Sequence, residues 1–223
     1  MNFGQLKMYI DGELVPSVNN ETKAIFSPLN DEKIATLSWA NSLDSERALR
    51  SAEQGFDSWS KIPVKKRKEW MLLLRDKILE KEEILRKSIS YEMGKPYNAT
   101  AEDVESITNS LKYYSDIIED YQKDKEIIDP DGTHSHHLVS KPIGVVVAYL
   151  AWNFPLLNAG FKLGPALASG CSIILKPSEL SPVSLYIMGE ILHEINFPKG
   201  VVNIYVENLV KLLQRCLRVP YQN

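Results

Sequence analysis

The stretch from Ile143 to Tyr205 constrains the fold more than any other, because apolar strand-like runs alternate there with helical periodicity. Ile143 to Leu150 is a nearly continuous run of β-branched and apolar residues, the pattern of a strand covered on both faces. Pro155 to Ser169 reads as a helix whose one charge is Lys162, and Cys171 to Leu175 as a second buried strand. Ser181 as cap and Pro182 as first residue open a helix bearing Leu185, Met188, Ile191, Leu192 and Ile195. Val201 to Tyr205 is a third strand. Strand, helix, strand, helix, strand predicts a parallel sheet with right-handed crossovers, half of a doubly wound nucleotide-binding fold.

The part before it is mostly helical. Met8 to Val15 reads as a hairpin around Asp11-Gly12. Ser42 can cap a helix with Ala48, Ala52, Phe56 and Trp59 on its apolar face. Pro63 stands as the first residue of a helix carrying Trp70, Leu73, Leu74 and Ile78, and Gly94 and Pro96 close a third bearing Ile84, Leu85, Ile89 and Met93. Val104, Ile107, Leu111, Tyr114, Ile118 and Tyr121 recur at helical spacing. A turn-rich joint follows at Asp129 to Gly132. The expected organisation is an amino-terminal hairpin and helical part over 1–122, a connecting hairpin over 123–142, a βαβαβ core over 143–206 and a divergent tail over 207–223.

Charge and composition exclude several roles. A net charge of −3, from 26 basic and 29 acidic residues, gives no electrostatic case for nucleic acid or an anionic membrane. The uncharged run from Pro142 to Phe161 is long enough to span a bilayer. Asn153, Pro155 and Asn158 interrupt it, and the broken backbone would be costly in lipid, so it reads as core. The first residues carry no secretory signal, and two cysteines make no disulfide framework, so a reducing cytoplasm is the expected setting.

In such sheets ligands lie beyond the carboxyl ends of the strands. Lys176 and Glu179, after the second strand, can form a ribose clamp: the carboxylate accepts from both hydroxyls and repels a 2′-phosphate, while the ammonium donates. The alternative is a solvated loop before a helix. Asn153, after the first strand, is either an oxyanion donor or the cap of the helix opened by Pro155, two uses competing for one amide. Gly160, Gly164 and Gly170 do not make G-x-G-x-x-G, so the usual dinucleotide cradle is absent. His134, His136 and His137 sit on an extended segment without a ligating partner at suitable spacing, so no metal is expected. Cys171 has no basic neighbour in sequence and reads as structural; Cys216, beside Arg215, is a weak nucleophile candidate.

Six segments together resemble the aldehyde dehydrogenase superfamily: Glu92-Met93-Gly94-Lys95-Pro96, Lys141 to Val145, Trp152-Asn153-Phe154-Pro155-Leu156, Gly164 to Cys171, Leu175-Lys176-Pro177-Ser178-Glu179, and Phe197 to Asn203. They run in the family's order from about residue 8 to 205, and the Glu92–Pro96 wording is nearest its succinate-semialdehyde branch. The resemblance implies an incomplete aldehyde dehydrogenase fold, α/β, with amino-terminal helices and a Rossmann-like parallel sheet. It implies Asn153 as oxyanion donor, Lys176, Glu179, Trp152 and Ser178 as cofactor contacts, and NAD as cofactor, with NADP the alternative. It further implies a small-molecule aldehyde as substrate and a homo-oligomeric assembly. In the family a cysteine thiolate attacks the aldehyde, hydride passes to the nicotinamide, and a glutamate-activated water hydrolyses the thioester.

Two departures stand out. Ala151 replaces the proline most members carry before Trp-Asn, which loosens that turn. After Asn203 the glycine-rich continuation is replaced by Val206 to Asn223, so the nucleophilic cysteine and general-base glutamate are missing. The expectation is a truncated, inactive part of an aldehyde-oxidising enzyme, as a frameshift would produce. The rival is a short non-catalytic protein that binds nucleotide or a paralogue.

Overall fold

The computed structural model describes residues 1–207, so the tail beyond Glu207, with Cys216, lies outside the described residues. The chain begins with β1 (Gln5–Leu6), β2 (Met8–Ile10) and β3 (Glu13–Val15). β2 and β3 form the expected hairpin, with Asp11 at φ 57° and Gly12 at φ 78°, the paired positive angles of a tight primed turn. β4 (Thr22–Phe26) and β5 (Lys33–Ser38) pair antiparallel, and β1 joins β5 in parallel to make a small separate sheet.

Four helices follow: α1 (Ser42–Trp59), α2 (Val64–Glu80), α3 (Glu82–Met93) and α4 (Ala101–Tyr121). The starts of α1 and α2 correct the sequence reading by one residue. Asn41 caps α1, accepting from the Leu43 and Asp44 amides, while the Asp44 carboxylate accepts from the Asn41 amide. That reciprocal box leaves Ser42 as the first helical residue. Pro63 likewise occupies the cap position of α2. On α2, Leu73 is exposed and Met71 joins Leu74 and Ile78 in the core. α3 ends at Gly94, left-handed at φ 72°, as its sequence predicts. Tyr121, at the end of α4, faces solvent.

An exposed hairpin, β6 (Lys125–Ile128) and β7 (Ser135–Leu138), leads into the α/β unit. That unit is β8 (Val145–Tyr149), α5 (Pro155–Ser169), β9 (Ser172–Lys176), α6 (Val183–Glu194) and β10 (Val202–Ile204). β8, β9 and β10 are parallel, as the alternation requires. The sheet is larger than the sequence suggests. β2 packs antiparallel on β10 through Ile204 and Tyr9, giving the order β3-β2-β10-β9-β8. β9 is wholly buried. β8 corrects the expectation of a strand covered on both faces: its only strand neighbour among the described residues is β9, so Val145, Val146 and Val147 are half-buried and Ile143 is 89% exposed. Among the described residues no helix is long and apolar enough to cross a membrane.

The glycines of α5 find their purpose in helix packing. A Cβ on Gly160 would lie 2.7 Å from Ile107 Cα, and one on Gly164 would meet Ser110 and Tyr114. Ser110 Oγ donates to the Gly160 carbonyl at 2.6 Å, so α4 rests on α5 almost backbone to backbone. Gly160→Ala must push two helix axes apart. The expected cost is about 1–3 kcal/mol, read as a lower urea midpoint with an unchanged slope.

Candidate functional site

The parallel register brings the expected site residues to one edge. Tyr149 lies opposite Lys176, and the Leu150 amide donates to the Lys176 carbonyl at 3.0 Å. β8 and β9 therefore end level, and the loops holding Trp152-Asn153 and Ser178-Glu179 leave the sheet side by side.

Lys176 is 2% exposed, too buried for an unpaired ammonium to be tolerated. Its Nζ lies 2.8 Å from Glu179 Oε1, so the two proposed ribose contacts already form an ion pair. Ser178 Oγ accepts from the Leu180 amide at 3.2 Å, which shapes the turn carrying Glu179. Trp152 is 52% exposed beside the exposed Asn153.

The geometry separates the two uses of Asn153. Phe154 occupies the cap position of α5, and the helix has no side-chain cap of the local kind. Asp103, from the first turn of α4, caps it from a distance, with Oδ1 accepting from the Leu157 amide at 3.4 Å. Asn153 is thus not the cap.

α6 is held in the same way. Ser181 is not its cap; Ser181 is buried and its Oγ makes no hydrogen bond among the described residues. Glu92, from the last turn of α3, caps the helix instead. Its Oε2 accepts from the Val183 amide at 2.6 Å, and its Oε1 accepts from the Ser184 amide at 3.3 Å and the Ser184 hydroxyl at 2.7 Å. Burial pushes the Glu92 carboxyl up to about 7 against those hydrogen bonds, and the nearby charge of Asp103 adds to the rise. Burial also raises Asp103, with Lys95 at 2.6 Å opposing it. Sequence reasoning places Met93, Gly94 and Pro96 at the end of α3, but reaches Glu92 and Lys95 only through the family wording. The one signal available is an acidic residue in the last turn of α3, where the helix dipole disfavours it unless it serves another element.

Helix starts are ready anion sites, but here protein carboxylates occupy both. Neither, so occupied, offers a phosphate the cradle that a G-x-G-x-x-G loop provides.

The remaining candidates separate plainly. Cys171 is 2% exposed and accepts from Ser169 Oγ at 3.4 Å. The basic neighbour it lacks in sequence is supplied by the fold, since the buried Arg67 packs on Gly170 and interacts with Cys171. His134 and His136 lie 3.6 and 3.0 Å from Asp129, a carboxylate that the hairpin turn brings back to them. Among the described residues no group of three or more His, Cys, Asp or Glu is arranged to hold a metal ion.

The chain has known relatives. The aldehyde dehydrogenase family profile matches residues 15–218. The chain belongs to the aldehyde dehydrogenase family. It is 33% identical to the chloroplastic betaine aldehyde dehydrogenase of Amaranthus hypochondriacus, over 89% of this chain and 41% of that protein. A crystal structure of betaine aldehyde dehydrogenase from Staphylococcus aureus, in complex with NAD+, superposes with a TM-score of 0.84 at 35% identity, over 91% of this chain and 40% of that one. A structure of 3,6-anhydro-L-galactose dehydrogenase with bound NADP gives 0.84 at 31% identity, over 92% of this chain and 43% of that one. The chain thus spans about two fifths of the length of the relatives it matches. The succinate-semialdehyde branch expected from Glu92–Pro96 is not among these three names.

Glu92 has a measurable consequence. The folded chain keeps its proton to about pH 7, whereas an ordinary carboxyl releases it near 4.5. Between those values the native state binds more protons, so stability falls as pH rises through the window. Glu92→Gln removes that slope. Denaturation of both proteins at pH 5 and pH 8 is expected to show the wild type losing stability relative to the variant on going to the higher pH.

Proposed function

We propose that this chain supplies the adenosine-ribose and oxyanion-stabilising side of an NAD-dependent enzyme that oxidises a small aldehyde to a carboxylic acid. The observation that carries the reading is the ion pair of buried Lys176 with half-buried Glu179 at the carboxyl end of β9. NAD, when bound, supplies the hydride acceptor. The pair fits that cofactor: the Glu179 carboxylate accepts from ribose hydroxyls, and Lys176 both donates and holds the carboxylate in place. An anionic Glu179 disfavours the 2′-phosphate of NADP. Trp152 and Ser178 line the same edge, Trp152 as an exposed aromatic wall and Ser178 through the turn it shapes. Asn153, relieved of capping, offers a neutral amide to the oxygen that becomes an oxyanion when the aldehyde carbon is attacked. The nucleophile in this reading is not Cys171, which is buried. The free thiol of Cys171 suits a reducing compartment, the cytoplasm in this reading.

Calorimetric titration of the 223-residue chain is the direct test. It is expected to bind NAD+ more tightly than NADP+, and Glu179→Gln is expected to weaken NAD+ by about tenfold, as for a lost charge-assisted hydrogen bond. Binding of neither nucleotide by the wild type sinks the reading. The same preparation is expected to form no NADH when aldehyde is added, because the residues placed here bind and polarise without attacking.

A second reading concerns assembly. Ile127 and Leu138 share one face of the β6–β7 hairpin, and both are exposed, as are Ile128 and Val139. Exposed apolar side chains on this hairpin, set beside Lys125 and His136, favour a homo-oligomer, or a longer paralogue, joined through it. Sedimentation velocity is expected to show an oligomer that Ile127→Lys with Leu138→Lys converts to monomer. A wild type that is already monomeric overturns this reading and leaves the nucleotide site untouched.

A further inference from the structure

Asn153 is held by no cap of its own, and the residue before Trp152 is Ala151, without the fixed φ of proline. Locally, Asn158 Nδ2 donates to the Ala151 carbonyl only at 3.5 Å, so firmer order must come from outside the loop. We propose that Lys95 and Asp103 are positioning residues for Asn153, clamping Phe154 and the first turn of α5 that follow it. The functional consequence rests on reading Asn153 as the oxyanion donor.

Three contacts make the clamp. Asp103 Oδ1 accepts from the Leu157 amide at 3.4 Å and so fixes the first turn of α5. Lys95 Nζ lies 2.6 Å from Asp103 Oδ2. The same ammonium sits 3.8 Å from the centre of the Phe154 ring, the residue next to Asn153. Lys95 itself is placed by the turn that ends α3: Gly94 adopts φ 72°, and Ser90 Oγ donates to the Lys95 carbonyl at 2.8 Å. Asp103 is fully buried, so without Lys95 its charge would stand uncompensated. Exposed ion pairs on the other helices contribute little, but this one joins a carboxylate, a helix start and an aromatic ring. Asp103 also lies in the first turn of its own helix, yet its carboxylate serves α5, the helix that follows Asn153.

The test uses the full 223-residue chain labelled with 5-fluorotryptophan. The chain has 4 tryptophans, Trp39, Trp59, Trp70 and Trp152, and Trp152→Phe assigns the loop signal. In Lys95→Met the fluorine line of Trp152 is expected to broaden or split while the other three stay in place. The Leu157 amide is expected to exchange about tenfold faster, as for a lost charge-assisted hydrogen bond. Lys95→Arg restores the single line, since a guanidinium keeps both the charge and the ring contact. Ala151→Pro, added to Lys95→Met, also narrows it by restraining the loop from within. An unchanged Trp152 line in Lys95→Met overturns the proposal. So does a change in all four lines together, which makes the pair a general stabiliser of the fold. Should Lys95→Met alone unfold, the double variant with Asp103→Asn leaves no buried charge unpaired and is judged by the same lines. Absence of NAD+ binding by the wild type overturns the nucleotide reading and leaves this result standing.

Discussion

Glu92 and Asp103 are buried carboxylates that take up the free amides at the starts of α6 and α5. Those amides would otherwise be orphaned inside the protein, because neither helix has a side-chain cap from its own neighbourhood. Burying two carboxylates is unfavourable, which is why Glu92 is raised to about 7. The compensation is positional. Each carboxylate ties the loop after a strand to a helix of the amino-terminal half, so the edge where the candidate site lies is built from both halves of the chain.

That arrangement depends on how closely α4 approaches α5. Gly160 and Gly164 remove the side chains that would hold the helices apart, and Ser110 bonds the Gly160 carbonyl across the contact. With α4 drawn in, Asp103 near its start comes within reach of the Leu157 amide. The glycines thus contribute to the site through packing. In a Rossmann cradle they would contribute by touching phosphate, and the structure removes that use by filling the helix starts with protein carboxylates.

The α/β alternation, the Asp11-Gly12 turn and the end of α3 are legible in the sequence because each rests on local chemistry. The Lys176 and Glu179 positions are legible for a topological reason, since strand ends are where such sheets place ligands. Local logic fails at Ser42, Pro63 and Ser181, where a neighbour or a distant residue takes the cap. Glu92 is 91 residues from Val183, and Asp103 is 54 from Leu157. No propensity or periodicity reports a partner at that range. β8 misleads for a related reason: its β-branched run looks buried, but coverage of a strand depends on what lies beside it. The docking of the amino-terminal hairpin on β10 is also invisible in the sequence, because pairing register is set by tertiary contact.

The two halves of the candidate site inherit different kinds of order. Lys176 is the last residue of β9 and is fixed by the sheet itself, with Tyr149 of β8 opposite it. Asn153 lies beyond the end of β8, in a loop whose own residues restrain it weakly. A donor aimed at a developing charge must be preorganised, since reorientation during reaction forfeits most of its effect. The sheet can place Lys176 unaided, whereas the proposed oxyanion donor, past the end of its strand, needs a second anchor. Lys95 and Asp103 reach that loop, and they do so from the Gly94–Pro96 turn and the start of α4, elements with no strand in the sheet.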